Sequence, residues 1–404
     1  MKDQMTSSQR MKTALTGGTP DRIPAAPDFS VMIPCKLTGL PWWDILYYQK
    51  TPLWQAYIKA VDYFGTDGWF TYGAPGYKSS SSKLSYSSRE EWANDTLIVK
   101  NRITTPDGDL TSQTHYFRND TETTPEKFVK DFKADFKKLM HLIPVYDDCD
   151  FSLMKEQQKA FGSRGLFTVP VMTPGFHTLF LYFNNNLEGC TYAYYDEPEL
   201  FEEFLDRFDK HLISMARFAI EGGCDSILTG GSGSITMQSP ELWEILSLPT
   251  LKKITKMCNE AGIICGVHSC GKETCLVRAC AEETCLHYVN PLEVPPMGDA
   301  NLSEIKKLYG KKISLMGNIR TTDTMLFGDT NKVRKDCLHA ILDAGEGGGF
   351  VLSSGDQCPR DTRDENILEM VKVAKEFGQY PLDIEKIKDA AEKLDKAESA
   401  PNYI

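Results

Sequence analysis

From Gly165 onward, short apolar runs alternate with longer amphipathic stretches, and the alternation continues unbroken to residue 376. The runs are GLFTVPVMTP (165–174), CDSILTGG (224–231), GIICGVHS (262–269), LHYVNPLE (286–293), KISLMGNI (312–319) and GGFVLSSG (348–355). They are short and rich in branched residues, as strands buried on both faces of a parallel sheet are. Helices are expected between them. One spans 195–221, with acidic residues and Pro198 in its first turn. Another opens at Ser239, a good N-cap, with Pro240 at the first helical position. Further helices are expected from about residues 272, 303, 331 and 363. Two more strand candidates lie upstream, RIPAAPDFS (22–30) and GTDGWFTYG (65–73). Eight βα repeats predict an α/β chain of the (β/α)8 TIM-barrel class.

Such barrels take about 250 residues, and this chain has 404. We therefore expect one barrel domain over 1–404 with an N-terminal extension, an insertion at 76–150 and a C-terminal helix and tail at 380–404. Residues 95–117 alternate like strands around Pro-Asp-Gly-Asp, which predicts a β-hairpin in the insertion. The serine-rich run at 78–88 reads as a flexible loop.

The net charge of −11 argues against nucleic-acid or anionic-membrane partners, which favour basic patches. No apolar run reaches the length of a membrane span. The first residues lack the apolar stretch of a secretory signal. Twelve cysteines in such a chain suggest a reducing cytoplasm, where thiols stay free or bind metal.

Five cysteines recur every fifth residue from Cys265 to Cys285. On a helix, five steps turn a side chain by about 140° relative to the last. Cys275, Cys280 and Cys285 therefore cannot share a metal and read as small buried residues. His268 and Cys270 differ. They lie two apart at the carboxyl end of an expected strand, where side chains i and i+2 share a side. Barrel active sites lie at that end. Cys358 follows the last expected strand and reaches the same face. One nitrogen and two thiolates make a good zinc set, with an open fourth position for substrate. On spacing alone, a hydrogen-bonded histidine and two packing cysteines remain the alternative.

QRMKTALTGGTPDRIP, GCDSILTGGSGSITMQSPELWEILSLPTLKKI, GVHSCG, KLYGKKISLMGNI and GGGFVLSSGDQCPRDTRDENI resemble the uroporphyrinogen decarboxylase superfamily. The resemblance covers residues 8–376 apart from the insertion and implies a (β/α)8 barrel. The decarboxylases of that superfamily are metal-free and grip a polycarboxylated tetrapyrrole with an N-terminal arginine cluster. PAAPDFSVMIPCKLTGLPWW has no such cluster. The other branch holds zinc-dependent methyltransferases linked to a corrinoid (cobalamin), including O-demethylase components. The resemblance to that branch implies His268, Cys270 and Cys358 as metal ligands and catalytic residues. Here the remote cysteine follows SSGDQ and precedes Pro359, not a shorter glycine-rich turn. The chain has no Asp-x-His-x-x-Gly corrinoid motif, so the corrinoid is expected on a partner protein.

The expected activity is methyl transfer between a small substrate and that corrinoid protein. Zinc would either activate a thiol acceptor or act as a Lewis acid on the oxygen of a methyl donor. The segment from Trp42 to Tyr77 is rich in Trp and Tyr. Trp69 and Tyr72 could line a pocket for a flat methoxyaromatic, or serve the core. His177 and Asn318 are further substrate-binding candidates. Asp225, Glu293 and Asp356 are candidates for a fourth ligand or for orienting a ligand, although solvated or paired carboxylates are the common case. A tetrapyrrole decarboxylase is the rival enzyme.

Overall fold

The computed structural model describes residues 3–399, with side chains to 396. Seven strands form one curled parallel sheet whose spatial order equals chain order. They are β1 (Gly68–Phe70), β2 (Gly165–Pro170), β3 (Ser226–Gly230), β4 (Ile264–His268), β5 (Tyr288–Asn290), β6 (Ser314–Ile319) and β7 (Phe350–Ser354). Almost every strand residue is buried, because helices and the sheet's own concave side cover both faces. His268 and Asn318, at carboxyl ends, are among the few that are only partly buried.

The helix starts follow the local rules. Ser239 Oγ accepts from Leu242 N–H at 3.2 Å, and Pro240 begins the helix Pro240–Leu246. Asn301 caps Leu302–Tyr309, and Asp329 caps Thr330–Ala344. Pro198 opens a 24-residue helix ending at Glu221. Among the described residues no helix is long and apolar enough to cross a membrane.

The strand expected at 22–30 does not form. Pro24 and Pro27 lack the N–H a ladder needs. Residues 24–26 instead lie between the two sheet edges. On one side Leu352 N–H donates to Pro24 O (3.0 Å) and Ala26 N–H to Leu352 O (2.9 Å). On the other, Asp67 N–H donates to Ala25 O at 2.8 Å. A buried charge cluster pins this segment. The Asp67 carboxylate takes Arg10 Nη1 at 2.6 Å, Arg22 Nη1 at 2.7 Å and the Ala25 amide at 3.0 Å. Arg10 also grips Asp21 through Nε (2.7 Å) and Nη2 (2.9 Å).

The insertion is larger than a hairpin. Ser85–Ala93, Thr96–Thr105, Gly108–Phe117 and Thr123–Glu126 form a four-stranded antiparallel sheet in that order. The expected turn is there: Thr105 pairs with Gly108 across Pro106 and Asp107. Gly76–Lys78 pairs with Asp148–Asp150 at the base. Residues 85–88, expected in a loop, belong to the first strand, because they pair in register with 101–104. Leu97 and Val99 pack on Trp43, with Tyr47 and Tyr116 beside them. The tryptophan-rich stretch thus supports the insertion. The helix Ile384–Ser399 matches the expected C-terminal helix, and the tail 400–404 lies outside the described residues.

Asp67→Ala removes the one fully buried carboxylate that both guanidinium groups share, leaving Arg10 to Asp21 and Arg22 to Asp3 near the surface. The expected loss is about 3–5 kcal/mol, measured by urea unfolding. Burial alone would raise the Asp21 carboxyl, but bonds from Arg10 and the Met5 and Gln4 amides hold it well below the usual range. A depressed carboxylate stabilises the fold above its unfolded pKa of about 3.9, and that contribution is lost as pH falls below it. Urea midpoints should therefore drop steeply below about pH 4. Asp21→Asn should be less stable at pH 6 and show a flatter acid limb.

Candidate metal centre

His268 ends β4 and pairs in register with Asn290, the last residue of β5. Its Nδ1 lies 2.7 Å from Asn290 Oδ1. A carbonyl oxygen only accepts, so Nδ1 carries the proton and Nε2 is free to donate a lone pair. Nε2 faces Cys270 Sγ at 3.4 Å and Asp356 Oδ1 at 3.9 Å. The donor atoms of His268, Cys270 and Asp356 all lie within 4.8 Å of one another. That is the one such group of three among the described residues.

The loops hold this geometry. Gly271 follows at φ +94°, and a Cβ there would sit 2.1 Å from Thr236 Oγ1, so only glycine fits. Its N–H donates to Glu293 Oε2 at 2.6 Å. Burial raises the Glu293 carboxyl, with Asp356 adding to the effect and the Gly271 amide opposing it. The buried Glu273 carboxylate accepts from Leu292 N–H at 3.2 Å with each oxygen, and burial pushes it well up. Glu273 thereby ties the loop after β4 to the loop after β5.

Cys358 is fully buried, and its Sγ lies 3.6 Å from Ser354 Oγ. It is outside the group of three, and burial pushes its thiol up to about 12. Asp356, a candidate for a fourth ligand or for orienting one, is in the group. Asp28, which the sequence reading passed over, is buried beside the centre. Its carbonyl accepts from Cys358 N–H at 2.7 Å, and its amide donates to Ser354 Oγ at 2.9 Å. Burial raises its carboxyl, and His268 opposes that. A carboxylate inside an otherwise apolar run was the available signal.

A cavity of 210 Å³ adjoins the centre, lined by Glu293, Val294, Pro295, Met297, Asn318 and Arg320 among others. Asn318 lines this cavity. Trp69 and Tyr72 do not. Trp69 is buried with its Nε1–H on Tyr288 Oη at 3.1 Å and its ring 6.4 Å from that of His268. Tyr72 packs on Tyr57 and Phe70 and donates its hydroxyl to Ser30 O. His177 is buried in a polar network, with Gln238 Nε2 3.2 Å from Nδ1 and Thr173 Oγ1 3.4 Å from Nε2. Burial lowers it to about 4, so it is neutral near pH 7. Asp225 lies at the opposite end of the sheet. It precedes β3, pairs with Lys12 at 2.5 Å and accepts from Phe167 N–H at 3.1 Å. Of the regularly spaced cysteines, Cys280 is buried, Cys275 half-buried and Cys285 exposed, so burial holds for the first and fails for the last.

The uroporphyrinogen decarboxylase (URO-D) family model matches residues 175–377, half of the chain. A methylcobamide:CoM methyltransferase MtaA from Methanosarcina barkeri is 29% identical over 183 residues, 45% of this chain and 50% of that protein. MtaA from M. barkeri strain Fusaro is 28% identical over the same share of each. The chain therefore matches about half the length of these relatives. A methyltransferase from Methanosarcina mazei superposes with a TM-score of 0.62 at 16% identity, over 93% of this chain and 99% of that one, which is a likeness of fold. The chain belongs to the uroporphyrinogen decarboxylase (URO-D) family.

Proposed function

We propose that this chain is a zinc-dependent methyltransferase that moves a methyl group between a small substrate and a corrinoid carried by a separate protein. The observation that carries the reading is His268 Nε2 facing Cys270 Sγ at 3.4 Å with Asp356 beside them, in a chain of this family. We also read residues 24–26 as standing in for the eighth strand of a closed (β/α)8 barrel, and the whole chain as one domain.

The donor set fits zinc: a neutral imidazole nitrogen, a thiol and a third donor from the segment after β7. Zinc held there supplies Lewis acidity to a methyl-donor oxygen or keeps a thiol acceptor as thiolate. Asn290 fixes the imidazole tautomer and ring plane. Val294, Pro295 and Met297 would give an apolar substrate body a surface to pack on. Asn318 can orient a polar substituent, and the Arg320 guanidinium stands at the same cavity. An apolar wall suits a methoxyaromatic donor, so O-demethylation is our first reading. The name of the M. barkeri relatives favours thiol methylation as the second. A single arginine at the cavity does not suit an eight-carboxylate tetrapyrrole.

The test combines metal analysis with methyl transfer. Wild type should hold one zinc per chain and methylate a Co(I) corrinoid from methoxyaromatics. His268→Ala and Cys270→Ala should stay folded, lose zinc and fall more than about 100-fold, beyond the usual cost of losing an outer partner. Zinc-loaded wild type that transfers methyl groups neither from ethers nor to thiols would overturn the proposal. Asn290→Ala should weaken zinc binding about 10- to 100-fold, measured by competition with a chelator.

A further inference from the structure

We infer that Arg320 is a specificity-determining residue. Its guanidinium binds an anionic group, carboxylate or sulfonate, at the end of a small substrate remote from the reacting ether or thiol. The inference rests on the methyltransferase reading above and names the substrate class.

Two loops build the cavity. The loop after β5 supplies an apolar wall of Val294, Pro295 and Met297, and the end of β6 supplies Asn318 and Arg320. The backbone of Arg320 is fixed, because its carbonyl accepts from Met325 N–H at 3.0 Å. Its guanidinium reaches across to the opposite loop, where Nη2 lies 3.4 Å from Pro295 O. That one long hydrogen bond places the head against the apolar wall. A guanidinium has five N–H donors, so most are left for a ligand.

Among the described residues Arg320 is the one lysine or arginine lining either this cavity or the adjoining one of 430 Å³, which shares Asn318 and Arg320 with it. No carboxylate among those residues pairs with it. The neighbouring carboxylates have other partners. Glu293 accepts from Gly271 N–H at 2.6 Å, Asp299 from Glu273 N–H at 2.7 Å, and Asp336 holds Lys332 at 3.0 Å. Asp323 also lines the smaller cavity and makes no ion pair with Arg320. An uncompensated guanidinium on an apolar wall is a binding group for an anion, and its planar fork matches the oxygens of a carboxylate.

Size and direction agree. The 210 Å³ cavity falls below the roughly 300–1,000 Å³ of drug-sized sites, so the ligand is small. Glu293 and Gly355 line the same cavity and adjoin the donors: Glu293 holds the Gly271 amide next to Cys270, and Gly355 precedes Asp356. A ligand anchored on Arg320 can lay its apolar body on Pro295 and Met297 and turn its other end to the metal centre. A neutral analogue would cover the guanidinium without pairing it, which is how a polar site rejects a ligand lacking the matching group.

Calorimetry of the purified protein reads this subsite without turnover. Meta-methoxybenzoate should bind at least about tenfold more tightly than the neutral meta-methoxybenzamide, the scale of one charge-assisted hydrogen bond. The ratio should fall towards one in Arg320→Met and be partly kept in Arg320→Lys, which retains the charge but not the fork. Sulfanylethanesulfonate against sulfanylethanol tests the sulfonate in the same way. A preference in either pair that is lost in Arg320→Met supports the inference and shows which anion the site takes. Ratios near one in both pairs, or a preference that survives in Arg320→Met, would overturn it and leave methyl transfer standing. Unchanged ratios with a raised KM for the corrinoid protein would also overturn it and assign Arg320 to docking. An Arg320-dependent preference in a protein that transfers no methyl group would uphold the subsite and overturn the methyltransferase reading. Arg320 is exposed, so these variants should fold, and Arg320→Gln replaces Arg320→Met if that one does not.

Discussion

The Asp67 carboxylate, buried between Arg10 and Arg22, is the contact on which the rest of the architecture depends. A curled sheet of seven strands leaves two edges of unpaired backbone, which are costly inside a protein. Residues 24–26 cover both edges, but prolines prevent them from doing so as a regular strand. The charge cluster supplies the missing fixation. It joins the helix Ser7–Leu15, the crossing segment and the residue before β1 through one carboxylate. Such a cluster is strongly specified, because removing one partner strands the others without water.

The consequence reaches the opposite end of the sheet. Once residues 24–26 run beside β7, the chain continues to Asp28 and Ser30 at the carboxyl ends of the strands. There Asp28 holds the Cys358 amide, and the Val31 and Met32 amides hold Gln357. The orientation of the segment after β7 is therefore set by residues more than three hundred positions earlier. The candidate metal centre draws on β4 and the segment after β7 directly and on β5 through Asn290 and Glu293. Glu273 and Gly271 knit the first of these loops to its neighbour with buried hydrogen bonds.

The insertion and the aromatic stretch from Trp42 have a structural explanation. Trp43 needs an apolar cover, and Leu97 and Val99 provide it. The cavity beside the metal centre is lined by proline, valine and methionine from the loop after β5, together with Asn318 and Arg320. Trp69 and Tyr72 do not line this cavity.

The sequence by itself determined the βα alternation, the helix starts at Ser239 and Pro198, and the placement of His268 and Cys270 at a strand's carboxyl end. These rest on local rules: side-chain period, capping chemistry and the two-residue repeat of an extended chain. It also carried the family, through motifs spread along the chain. Tertiary structure alone decided that residues 22–30 bridge two edges without forming a strand, that Asp225 lies at the far end of the sheet, and that Asp28 and Glu273 are buried beside the centre. It also decided which donor of the SSGDQC run faces His268. An irregular loop has no period to fix its side chains, so hydrogen bonds to Ile319, Val31, Met32 and Asp28 choose their directions. Those partners are remote in sequence and become neighbours only when the sheet curls.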